Sequence, residues 1–270
     1  MSATGFSLAR RLRAGETVYT AWCSLAVPIV VEYIAREGFT AVALDQQHGL
    51  YDTATTAQGI ASVRHAGASP IVRVPLNDYP SASRALDFGA EAVVAPMINT
   101  VEHARLFAAA MKYPPRGERS WGPSRAAALS GITDMKDYFR NANEMTLAIA
   151  MIETREALDH VSAIAAVDGV DGLLVGPFDL SIALSNGAVL DPFSKDVEKA
   201  LDVILDAART HKKIPCIYCA NAEIALVAAK QGFRFIAVGG DLSYLRAGAA
   251  EQLKILGAKS KTEKSSLPSV

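Results

Sequence analysis

The strongest constraint on the fold is a rhythm. Eight short, almost wholly apolar runs occupy 17–23 (TVYTAWC), 41–46, 70–75, 92–97, 146–152, 172–176, 214–218 and 235–239. Longer stretches with apolar residues at helical spacing follow them, at 26–37, 54–66, 80–88, 100–111, 155–167, 195–211, 221–231 and 241–256. Strands that are apolar throughout are covered on both faces, as parallel sheets are. The junctions repeat as well: EGFTAVAL at 37–44, FGAEAVVAP at 88–96 and QGFRFIAVG at 231–239 each put a helix-closing glycine ahead of a strand. Eight βα units in about 250 residues predict the α/β class and a single (β/α)8 TIM barrel. A doubly wound sheet is the competing topology, but no G-x-G-x-x-G follows the first strand.

A length of 270 residues allows two small domains or one large one. No Pro/Gly/Ser-rich linker divides the chain, so 1–256 reads as one barrel. The polar end, 257–270 (GAKSKTEKSSLPSV), has the composition of a flexible tail. Residues 112–145 break the rhythm with a Pro-Pro start and Arg116, Arg119 and Arg125. A loop of that length inside a compact domain is functional or interfacial.

Composition excludes several partners. The 27 basic and 28 acidic residues leave a net charge of −1, which gives no electrostatic reason to expect nucleic acid or a membrane surface. No apolar run reaches the roughly 18–20 residues of a membrane span. The start, MSATGFSLARRLRAGE, has no apolar signal core; although Arg-rich and acid-poor like a transit peptide, it reads as an amphipathic first helix. Three cysteines, Cys23, Cys216 and Cys219, fit a reducing, cytoplasmic compartment. Cys216 and Cys219 lie three apart in one strand and so face opposite ways, which argues against a metal or redox pair.

Barrels of this kind carry their active sites at the C-terminal strand ends. Of five histidines only His48 stands just past a strand; His65, His103, His160 and His211 fall in predicted helices. Asp45, Glu153 and Asp179 pass the same filter. Two carboxylates from adjacent strand ends, Glu153 and Asp179, suit one hard cation such as Mg2+ or Mn2+. Helix N-capping by Asp179 ahead of LSIAL is an equal alternative on spacing alone. Arg73, inside the third strand, either points into the barrel mouth or pairs with a buried acid. Trp22 lines the mouth or belongs to the core. Nine of the eleven lysines lie in predicted helices, the insertion or the tail, and Lys212 and Lys213 precede the seventh strand, at the wrong end of a barrel, which argues against a Schiff-base lysine. The lack of histidine ligands for zinc favours a metal bound by oxygen.

Six segments, in order, make the sequence resemble the HpcH/HpaI aldolases, the metal-dependent pyruvate aldolases of the citrate lyase superfamily. They are LDQQHG at 44–49, IVRVPLND at 71–78, ALDFGAEAVVAPMINTVEHAR at 85–105, YPPRGERSWG at 113–122, MIETREAL at 151–158 and GVDGLLVGPFDLS at 169–181. The resemblance implies a barrel of the phosphoenolpyruvate/pyruvate type that reversibly cleaves a 4-hydroxy-2-oxo acid to pyruvate, or a hydroxypyruvate-like donor, and an aldehyde. It implies a divalent cation (Mg2+, Mn2+ or Co2+) on Glu153 and Asp179, and no nucleotide cofactor. Arg73 matches the arginine at the keto oxygen and enolate, and His48 the catalytic histidine, with Asp87 as its acidic partner. The Gly176–Pro177–Phe178–Asp179 turn matches the substrate-binding segment, where the amides of Phe178 and Asp179 receive the carboxylate. A homo-oligomer is implied too, a hexamer built as a trimer of dimers, with the last helix exchanged between subunits. Asp87 fits poorly, because it falls near the C-terminal end of a predicted helix. Either that helix ends early, or the dyad forms across a subunit interface.

The chain departs from the family pattern at three positions. Gln47 stands where an acid is usual, Met151 where a glutamine is usual, and Phe178 where a smaller residue is usual. These bear on the aldehyde and donor rather than on the reaction class. The alternatives are a CoA-thioester lyase of the citryl- or malyl-CoA type, a phosphate-binding barrel suggested by VGGD at 238–241, and an inactive barrel serving assembly.

Overall fold

The computed structural model describes residues 5–258. In chain order the elements are α1 (Leu8–Arg13), β1 (Val18–Cys23), α2 (Pro28–Arg36), β2 (Ala41–Asp45), α3 (Thr53–His65), β3 (Ser69–Arg73), α4 (Tyr79–Phe88), β4 (Ala92–Ala95) and α5 (Val101–Met111). They continue with α6 (Ser124–Ser130), α7 (Met135–Met145), β5 (Leu147–Ile152), α8 (Arg155–Asp159), α9 (Val161–Ala165), β6 (Gly172–Val175) and α10 (Pro177–Leu184). The last are α11 (Lys195–Thr210), β7 (Ile214–Cys219), α12 (Ala222–Gln231), β8 (Phe235–Gly240) and α13 (Asp241–Ile255). The eight strands close into a barrel in sequence order. Neighbours pair in parallel all the way round, β1 with β8 included. This is the (β/α)8 barrel expected from the rhythm.

Two apolar layers hold it together, and strand alternation sorts residues between them. Ala41, Ala43, Ile71, Val94, Ile149 and Cys216 fill the interior. Val42, Leu44, Val72, Val93, Ile217 and Cys219 face the surrounding helices. Cys216 and Cys219 thus lie on opposite faces of β7. The interior is closed at the N-terminal end by α1, whose Leu8, Ala9 and Leu12 join the inner cluster. The amides of Ser7 and Leu8 both donate to Glu91 Oε2 at 2.8 Å, just ahead of β4, which fixes this plug.

Three sequence expectations are corrected. Segment 112–145 is not a long loop: α6 and α7 lie in it, and Tyr113, Ala126, Ala127, Tyr138 and Ala142 form a small core of their own. Helical periodicity there is masked by short turns and small residues. The predicted helix 155–167 is broken at His160 into α8 and α9. The VGGD turn after β8 is no phosphate cradle, because its own buried Asp241 carboxylate accepts the amides of Ser24 and Leu25 at 3.0 and 2.8 Å. An anion already occupies that position. The polar-tail reading of 257–270 lies outside the described residues from 259 onward. Among the described residues no helix is long and apolar enough to cross a membrane.

Candidate active site

Alternation along the strands selects the residues at the mouth. Ala41 and Ala43 face inward on β2, and the next inward position is Asp45. The same count leads from Ile71 to Arg73 on β3, from Ile149 and Met151 to Glu153 past β5, and from Cys216 to Tyr218 on β7. Lower inward layers are mainly aliphatic, with Phe235 among them, while the uppermost layer is polar and aromatic.

The first half of the site is built around Asp45. This carboxylate is 1% exposed and accepts two hydrogen bonds from Arg73, from Nε at 2.9 Å and Nη2 at 2.6 Å. It also accepts the Trp22 indole N–H at 3.3 Å and the backbone amides of Gln47 and His48 at 3.0 and 3.3 Å. Burial works to raise its pKa, but the hydrogen bonds and charge of Arg73, helped by the His48 amide and Trp22, hold it below the usual carboxylate range. The Arg73 guanidinium lies 5.0 Å from the Trp22 ring centroid. Arg73 therefore does both things the sequence left open: it pairs with a buried acid and faces the mouth. Trp22 likewise belongs to the inner core and lines the cavity.

The second half is built around Glu153, 2% exposed. Its Oε1 accepts the Met97 amide at 2.8 Å. Met97 takes a left-handed backbone, φ 53°, rare for a residue with a side chain, and so aims that N–H at the carboxylate. A Cβ placed on Gly176 would lie 2.5 Å from Glu153 Oε2, so any larger residue there would force the Glu153 carboxylate to shift. Burial pushes the Glu153 pKa up to about 7, and the nearby charge of Asp179 adds to this against the Met97 amide and Arg73. Asp179 is exposed in the first turn of α10. It is not the N-cap, which is Gly176, and no side chain caps that helix. The N-capping alternative for Asp179 is therefore removed.

Two neighbouring carboxylates, one buried and neither in a salt bridge with a basic side chain among the described residues, form a hard-oxygen donor pair that fits a divalent cation. No group of three or more His, Cys, Asp or Glu side chains suited to a metal occurs among the described residues, so waters or substrate oxygens would fill the remaining positions.

A cavity of about 340 Å³ opens at this end, lined among others by Asp45, His48, Arg73, Phe178, Asp179 and Tyr218. Trp22, Gly176 and Pro177 also border it. Asp87 does not join them. It lies in the last turn of α4, at the N-terminal end of the barrel, and binds Arg119 Nη2 at 2.6 Å. A Cβ on Gly122 would sit 2.9 Å from its Oδ2. Helices of βα units run back toward the strand starts, so within one chain Asp87 and His48 are at opposite ends. The helix does not end early. Sequence reasoning gave Asp45 no partner and overlooked Ser24 and Tyr218, which also line the cavity. Inward alternation from Cys216 was the available signal for Tyr218.

The pattern of the HpcH/HpaI aldolase/citrate lyase family matches residues 19–247. A hydroxypyruvate/pyruvate aldolase of Rhizorhabdus wittichii is 35% identical, over 88% of this chain and 93% of its own length. The chain belongs to the HpcH/HpaI aldolase/citrate lyase family. A 4-hydroxy-2-oxo-heptane-1,7-dioate aldolase of Klebsiella pneumoniae is 34% identical, over 88% of this chain and 89% of its own length. A crystal structure of a family member from Burkholderia cenocepacia superimposes with a TM-score of 0.85 at 31% identity, covering 94% of this chain and all of the other. This family member is an enzyme of the aldolase kind, a carbon–carbon lyase.

Proposed function

We propose that this family member reversibly cleaves a 4-hydroxy-2-oxo acid to pyruvate, or hydroxypyruvate, and an aldehyde. The observation that carries this reading is one mouth cavity bordered on one side by the Asp45–Arg73 pair and His48 and on the other by Asp179, with Glu153 behind Gly176.

A divalent cation held by Glu153 and Asp179, with Mg2+, Mn2+ or Co2+ as the candidates, supplies Lewis-acid chemistry for the 2-oxo acid when bound. The amides of Phe178 and Asp179, at the positive end of α10, receive the substrate carboxylate. Arg73, held in orientation by Asp45, directs its guanidinium at the oxygen on which negative charge develops. His48, acting through a water, takes the proton of the C4 hydroxyl as general base. The C3–C4 bond then breaks, its electron pair passes into the enolate, and protonation at C3 releases pyruvate.

Asp87 enters as a contribution from a second copy to the first copy's His48. Two surface features support assembly. Trp121 and Phe139, each 49% exposed, form an aromatic patch on the insertion that carries Arg119. Helix α13 buries only Asp241 and exposes Leu242, Leu245, Leu253 and Ile255, as a helix exchanged with a neighbour would. These features support a homo-oligomer; the hexameric size rests on the family resemblance alone.

Aldol cleavage assayed with and without chelator tests the proposal. Chelator is expected to abolish activity, Mg2+, Mn2+ or Co2+ to restore it, and borohydride with pyruvate to trap no adduct. Full activity in excess chelator would overturn the cation's role.

A further inference from the structure

A second cavity, of about 230 Å³, adjoins the mouth. It runs between α11 and α12, outside the end of β7. The two cavities share Pro177, Phe178 and Tyr218 in their walls. The Phe178 and Tyr218 rings stand edge to face with centroids 6.3 Å apart, and Tyr218 meets Trp22 in the same way at 5.9 Å. An aromatic wall thus runs from the Asp45–Arg73 pair to the groove.

The groove is unlike the mouth in chemistry. Phe193, Leu201, Ile217, Ile224 and Val227 line it, and among the described residues its one charged side chain is that of Glu198. Among the described residues no lysine, arginine or histidine lines it. Phe193 and Val227, 60% and 55% exposed, leave it open at the rim. Such a space takes apolar material and repels an anion. Its volume exceeds the roughly 150 Å³ that accommodates a benzene ring in an apolar cavity.

We propose that the aldehyde partner of this aldolase carries a neutral apolar chain or ring, which lies in the groove behind Phe178 and Tyr218. The proposal rests on the aldolase reading above and names its acceptor class. In the synthetic direction C3 of pyruvate loses a proton, the enolate's electron pair forms the bond to the aldehyde carbon, the C=O π pair moves to the aldehyde oxygen, which takes a proton, and the substituent of that carbon extends past Tyr218. An aldehyde ending in a carboxylate would meet Glu198 and no counter-charge.

The test is a panel of aldehydes with pyruvate as donor: propanal to hexanal, benzaldehyde and succinic semialdehyde. From propanal to hexanal kcat/KM is expected to rise about four-fold per methylene. Succinic semialdehyde is expected to fall below pentanal. Val227→Trp and Ile224→Trp, which fill the groove from α12, are expected to lower hexanal turnover about ten-fold or more, the loss of two methylene contributions. Both should leave propanal turnover and metal-dependent exchange of the pyruvate methyl protons unchanged. A flat chain-length series, or a preference for succinic semialdehyde, would overturn the proposal. So would a change of oligomeric state on filling the groove, which would assign the space to a second copy. Absence of proton exchange in the parent enzyme would instead remove the aldolase reading, and this proposal with it.

Discussion

The Asp45 carboxylate holds the Arg73 guanidinium by two hydrogen bonds, at 2.9 and 2.6 Å, from the neighbouring strand of the barrel. The same Asp45 Oδ1 accepts the amide of His48 at 3.3 Å. One buried acid therefore orients the proposed electrophilic arginine and the turn that carries the proposed base.

Asp45→Asn replaces one acceptor oxygen by a donor facing the guanidinium. It is expected to lower kcat/KM on the order of 10²-fold, the loss typical of one misplaced charge-stabilising donor. Arg73→Lys is expected to do no better, since an ammonium cannot reproduce the two-point contact. Steady-state cleavage kinetics on both variants check this.

Glu153 gives a stability signature that does not depend on turnover. Its pKa is lifted from 4.5 to about 7, so the folded chain binds this proton more tightly than the unfolded chain. The contribution to stability is complete below about pH 4.5 and is lost as pH rises through 7. Metal-free Glu153→Gln is therefore expected to be more stable than the parent above pH 7, by up to about 3 kcal/mol. The difference should vanish near pH 4.5 and reverse in the presence of divalent cation. Urea unfolding across this range measures it.

His48→Ala and Asp87→Asn are each expected to lower cleavage by about 10²- to 10⁴-fold, the range for loss of general-base catalysis. If His48 is completed by Asp87 of a second copy, mixing the two inactive variants rebuilds some intact sites. Recovery of activity after the two are unfolded and refolded together is the expected result. No recovery would place the Asp87–Arg119 pair in a purely structural role.

Lys112 is a stability prediction far from the mouth. Its ammonium is fully buried and donates to Asp171 Oδ2 at 2.6 Å and to the carbonyls of Asn143 and Thr146 at 2.9 and 2.8 Å. Among the described residues, Lys112→Ala leaves Asp171 with only the partly exposed Arg13 as an ion-pair partner, at 3.1 Å, and is expected to cost about 3 kcal/mol or more. Chemical denaturation reads the loss. Turnover at low temperature should be retained.

Much of this was legible in the chain. The glycine-closed helices and doubly apolar strands specify the βα repeat locally, and a strand's two-residue period fixes which side chains face inward. His48, Arg73, Glu153 and Asp179 stood out because polar residues at strand ends interrupt apolar runs. The helices of 112–145 were hidden because α6 is short and alanine-rich, so its packing depends on Tyr113 and Tyr138 from elsewhere in the insertion. Tyr218 was passed over because an aromatic in a strand reads as core until its neighbours across the barrel are known.

The sequence by itself determined the number and order of strands, their burial on both faces and the residues at their C-terminal ends, since these follow from periodicity within a few residues. Only the tertiary structure decided which of those residues meet. Closure of the barrel turns positions far apart in sequence into neighbours around one mouth. It seats Asp45 against Arg73, sets Glu153 behind Gly176 and under the charge of Asp179, and carries Asp87 to the opposite end with Arg119. Contacts of that kind depend on strand register and helix direction, which no local pattern encodes.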